Sequence, residues 1–195
     1  MNKLSAIPLS VVLQRAALQR IALECIIGLQ RVDAVVQALA QAGFGIEATR
    51  VFAHALPQRE AVWWACMCTV YTAPTELSEL EHRPRKLAEE WVRGQSSEMA
   101  SAAMDAAKCT GFQAPEAWAG IGAFWSDVSL NAAEGGAGIF LQSHPTGVAV
   151  AAAVALASVR TDAARQSQRL AVFLQSAQDI AAGGYGSLSS ENTCS

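Results

Sequence analysis

Apolar residues recur at helical spacing along most of the chain, and the pattern is densest from Leu56 to Tyr71. Pro57 suits the first turn of a helix, where its missing N–H costs nothing. Glu60 then lies near the positive end of the helix dipole. From Ala61 to Tyr71 only Thr69 is polar. A helix that is hydrophobic all round is normally buried on all sides. At about 1.5 Å per residue this run is too short to cross about 30 Å of hydrocarbon. The pattern predicts the buried central helix of a soluble helical domain.

The rest of the chain reads as helices around it. Leu18, Ile21, Ala22 and Cys25 share one face of a first helix running from Pro8 to about Leu29. Val32, Val35, Val36 and Leu39 mark a second, stopped by Gly43. Ala48, Val51, Phe52 and Ala55 mark a third, from about Ile46. Pro74 ends the central helix near Thr72, and residues 73–84 read as a polar loop. Shorter segments follow at Lys86–Arg93, from a Ser96 or Ser97 cap to about Cys109, and from Pro115 with Trp118, Ile121 and Trp125 inward. Residues 127–144 read as the longest irregular stretch. Pro145 opens an alanine-rich helix to about Arg160, and Thr161 caps a last one that Gly183 terminates. The expected fold is all-α, with seven to nine helices in an irregular bundle or solenoid-like array. Its domain covers 9–184, between a flexible lead-in at 1–8 and a disordered, Ser-rich tail at 185–195.

Composition narrows the function classes. Of 195 residues, 52% are hydrophobic and 16% charged, enough to bury a core and exclude disorder throughout. A net charge of −3 argues against nucleic acid, which asks for a basic stripe. Five cysteines, an odd number, point to free buried thiols and a reducing compartment. With no sustained apolar leader and no run long enough to span a membrane, a cytoplasmic location is expected.

Candidate chemistry is sparse. Cys66 and Cys68 form a C-x-C, but side chains two apart on a helix diverge, so no metal is expected. His54, Arg59 and Glu60 cluster at the start of the central helix, either as an acid–base set or as end-capping groups. Among five tryptophans, Trp63, Trp118 and Trp125 fall on apolar stripes and read as core. Trp64 and Trp91 read as edge residues open to a partner. The glycines at 135, 136 and 138 lack the Lys and Ser/Thr of a phosphate loop, and no hydrolase or metalloprotease signature is present. No catalytic residue and no cofactor is expected.

The segments Leu56-Pro57-Gln58-Arg59-Glu60-Ala61-Val62-Trp63-Trp64-Ala65, Ala88-Glu89-Glu90-Trp91-Val92, Ala123-Phe124-Trp125-Ser126 and Asp179-Ile180-Ala181 are distinctive. Together, over about Ala48 to Gly184, they resemble an uncharacterised bacterial family of short helical proteins, some encoded near type VI secretion genes. The resemblance lends no catalytic residues. It differs in the long loop, where prolines are expected and Asn131 to Gly138 is rich in Ala and Gly.

The expected function is a non-enzymatic interaction protein. It would be an adaptor or accessory chaperone with a protein partner, such as a secretion effector or spike component. An enzyme or small-ligand binder with a pocket near His54, Arg59 and Glu60 is the alternative. An immunity protein to a neighbouring toxin is another.

Overall fold

In the computed structural model, which describes residues 4, 7–134 and 145–191 (backbone alone for 131–134), the helix Gln58–Tyr71 (α5) runs through the interior. Ala61, Val62, Trp64, Ala65, Cys66, Met67, Cys68 and Thr69 are all buried. The single polar side chain among them, Thr69, donates to the Cys66 carbonyl oxygen at 2.8 Å, which meets the demand that buried polar groups be bonded.

Before α5 come Leu9–Ala16 (α1), Arg20–Glu24 (α2), Val32–Gln41 (α3) and Gly45–Ala55 (α4). After it come Glu79–Gly94 (α6), Ser97–Cys109 (α7), Pro115–Glu134 (α8), Pro145–Val159 (α9) and Gln166–Ala182 (α10). No strand occurs among the described residues. The fold is all-α and forms one compact domain, as the periodicity predicts. Helices α6, α8, α9 and α10 pack against α5, while α1, α3, α9 and α10 pack against α4.

Ten α-helices stand among the described residues, where seven to nine are expected for the chain. The predicted first helix breaks in two, because Ala17 adopts a left-handed conformation (φ 47°) and Gln19 is extended. The polar loop over 73–84 is also shorter than expected. Ser78 and Glu81 form a reciprocal capping box, the Ser78 N–H donating to Glu81 Oε2 at 3.0 Å, and α6 starts there. Pro84 sits inside that helix, buried, rather than ending it. The irregular stretch expected at 127–144 is corrected over 127–134, which continue α8. Asp127 is polar but turned inward, where it accepts from Trp91 Nε1 at 3.3 Å. The glycine-rich part, 135–144, lies outside the described residues.

Described residues within the expected lead-in and tail make contacts with the core. Leu4 and Ile7 pack against the core. Residues 183–191 turn back along α10 and end in an ion pair. Arg169 is 1% exposed and pairs with Glu191 at 2.5 Å, while its Nη1 donates to the Ser158, Arg160 and Asp162 carbonyls. That network covers the Ser158 carbonyl in the last turn of α9, a group a helix leaves without an internal partner, and two carbonyls just beyond the helix end.

Candidate functional site

Arg59 and Glu60 stand on the first turn of α5, and Trp63 follows one turn later on the same face. Arg59 Nε donates to the Val92 carbonyl oxygen at 2.7 Å, tying the start of α5 to the end of α6. The opposite wall is the chain leaving α10. Gly183 ends that helix in the left-handed region (φ 102°), and the Gly184 N–H returns to the Asp179 carbonyl at 2.8 Å. Gly186 takes φ 58°, its N–H bonds Asp179 Oδ2 at 2.8 Å, and its carbonyl accepts from Ser176 Oγ at 2.6 Å. A side chain at 186 would collide with Ile180 and the Ser176 carbonyl, so this turn requires glycine. The turn presents the Tyr185 carbonyl to Trp63 Nε1 at 2.6 Å.

Between these walls lies a cavity of about 290 Å³. Trp63, Val92 and Ile180 give it apolar surface, Arg59, Glu60 and Arg93 its charge, and Tyr185 stands at its edge, 82% exposed. Three of the four segments that carry the family resemblance or adjoin it thus meet here: the Arg59–Trp63 turn, the Val92–Arg93 end of α6 and the Ile180–Gly184 end of α10. The lining holds no histidine, cysteine or serine. It suits binding: an apolar floor, charged groups at the side and an aromatic ring open to solvent.

The sequence candidates separate. Arg59 and Glu60 do share this cleft. His54 does not. It is 7% exposed and lies over Gly147 of α9, so closely that a Cβ there would strike the imidazole. The space beside it, next to Arg15, Gln58 and Thr146, is about 40 Å³, room for water rather than substrate. Trp64 and Trp91, read as edge residues, are both 0% exposed. Trp64 Nε1 donates to the Phe173 carbonyl at 2.9 Å, and its ring meets Phe52 edge-on at 6.4 Å. Trp63, Trp118 and Trp125, read as core, are only half-buried. Sequence reading missed Trp63, Val92, Arg93, Ile180 and Tyr185 as lining residues. The one signal available was Arg59 and Trp63 at i, i+4.

The cysteines also divide. Cys66 and Cys68 are wholly buried, and burial pushes both thiols well above their ordinary range, with Glu89 adding to the effect at Cys66. They are therefore protonated and inert near neutrality. Cys25 and Cys109 are exposed, which corrects the expectation of buried thiols. Among the described residues no three His, Cys, Asp or Glu side chains converge as a metal site. Among the described residues no single helix is long and apolar enough to cross a membrane.

A second cavity of about 200 Å³ lies between the α3–α4 turn and the first half of α10, beside Glu47, Gln166 and Ser167.

A family model described as a family of unknown function, DUF6931, matches residues 35–181. No curated protein and no solved structure matches the chain.

Proposed function

We infer that the chain, which belongs to this family of unknown function, is a non-enzymatic helical interaction protein that docks a partner polypeptide at the Trp63 cleft. The observation that carries the reading is the half-buried indole of Trp63, hydrogen-bonded to Tyr185 and open on a charged, apolar-floored cavity. Aromatic and arginine side chains in such a setting are the usual anchors of protein interfaces. In that role the protein is an adaptor or accessory chaperone. What supports a secretion setting, with an effector or spike component as partner, is the resemblance to a family of which some members are encoded near type VI secretion genes.

The test is co-purification from the native host with Arg93→Ala and Tyr185→Ala, two exposed positions. Loss of a secretion component or effector from both variants, with unchanged melting temperature, supports the reading. Full retention of every partner by both removes the cleft from the account. A small-ligand binder is the second reading, with the cavity of about 290 Å³ at the lower edge of the range of ligand pockets, about 300–1,000 Å³. A small molecule that stabilises wild type but not Tyr185→Ala, with no protein partner recovered, would select it.

A further inference from the structure

Resting on that docking reading, we propose that the partner segment in the Trp63 cleft is acidic, with one apolar anchor residue flanked by carboxylates. The cleft opens to solvent and its volume is about 290 Å³. That space admits one apolar side chain with its flanking backbone, set against Trp63, Val92 and Ile180.

The flanking carboxylates follow from charge. Arg59 and Arg93 stand against the single carboxylate of Glu60, a local excess of one positive charge on a protein of net −3. Arg59 is held by its Nε bond to the Val92 carbonyl, and its terminal nitrogens bond to none of the described residues. A guanidinium fixed this way presents a fork that matches a carboxylate. Arg93 reaches Glu89 only at 3.7 Å, and Glu89 is already paired with Arg85. The positive end of the α5 dipole lies beneath the same turn. The negative end of α6 would oppose an anion, but the Val92 carbonyl there is already covered by Arg59. Glu60 is the group that resists an acidic ligand, which gives the proposal a directional signature.

The probes are short acetylated, amidated peptides with a central Leu flanked by Glu, by Gln or by Lys. The readout is the Trp63 indole N–H resonance of the full chain. The Glu peptide should bind tightest and weaken with salt. Arg59→Gln and Arg93→Gln should each weaken it about tenfold, and Glu60→Gln should tighten it. Arg93→Gln keeps the test sound should the loss of the Arg59–Val92 bond disturb the fold. Equal binding of the Gln peptide, or preference for the Lys peptide with loss on Glu60→Gln, would overturn the acidic assignment while leaving the cleft as a docking site. Silence toward all three peptides, while Arg93→Ala and Tyr185→Ala still lose the native partner, would overturn it as well. Retention of the native partner by those two variants would instead defeat the docking reading itself.

Discussion

Trp63 donates its indole N–H to the carbonyl oxygen of Tyr185 over 2.6 Å, joining the central helix to the chain end across 122 residues of sequence. The neighbouring Trp64 turns the other way and bonds Phe173 in the interior. Successive residues on a helix sit about 100° apart, so two adjacent tryptophans serve two purposes, one in the core and one at the cleft.

Replacement of the two should therefore differ sharply. Trp64→Ala removes a wholly buried ring together with its bond to the Phe173 carbonyl, and losses of this kind cost about 3–5 kcal/mol. That is a large share of the roughly 5–15 kcal/mol that holds a domain together. Trp63→Phe removes one hydrogen bond and keeps most of the contact, about 0.5–1.5 kcal/mol. Urea denaturation of both variants checks the ordering. Equal costs would mean that the two rings occupy similar environments.

The ion pair at the chain end should be far stronger than those on the surface. Glu191→Ala leaves Arg169 buried with only carbonyl partners, and breaking a buried pair typically costs about 3–5 kcal/mol. Glu24→Ala breaks a pair whose two side chains are 92% and 57% exposed, so about 0–1 kcal/mol is expected. Thermal melts of the two variants give the comparison. A Glu191→Ala protein as stable as wild type would show that the Arg169–Glu191 pair contributes nothing to folding.

The buried thiols make a pH prediction. Burial raises both Cys66 and Cys68 in the folded protein. A free thiol in the unfolded chain ionises near about 8.5. Below that pH both states keep the proton and stability is flat with respect to these groups. Above it the unfolded chain releases protons that the folded chain retains, so stability falls as pH rises. The slope is about 1.4 kcal/mol per pH unit for each thiol. Cys66→Ala should reduce the slope by one thiol's worth between about pH 9 and 10.5, measured by urea denaturation. In native protein at neutral pH, mass spectrometry after thiol labelling should find Cys25 and Cys109 modified, and Cys66 and Cys68 only after unfolding.

The all-helical fold was legible because apolar spacing repeats at the helical period in nearly every segment and Gly43, Pro57, Gly94, Pro115, Pro145 and Gly183 punctuate it. Less legible was anything set by distant partners. Pro84 reads locally as a stop, yet the Ser78–Glu81 box starts a helix ahead of it. The phase of α5 is misread from its apolar residues, which surround the helix on every side, and only the spacing of Arg59 and Trp63 points to Trp63 rather than Trp64 as the cleft residue. The cleft was half visible: Arg59 and Glu60 announce themselves by charge. Its other walls come from α6 and from a tail whose Ser-rich composition suggests disorder, and bonds to Trp63, Asp179, Ser176 and Arg169, all distant in sequence or on other elements, hold that tail in place.

The most direct test places a photo-crosslinking amino acid at Arg93, on the rim of the cleft, and separately at Ser167, exposed at the second cavity by the start of α10. Irradiation in the native host should give a discrete adduct with a partner protein from position 93 and none from position 167. Adducts from 167 alone would contradict the account, because the partner would then dock on the α10 face and the Trp63 cleft would be a feature of packing.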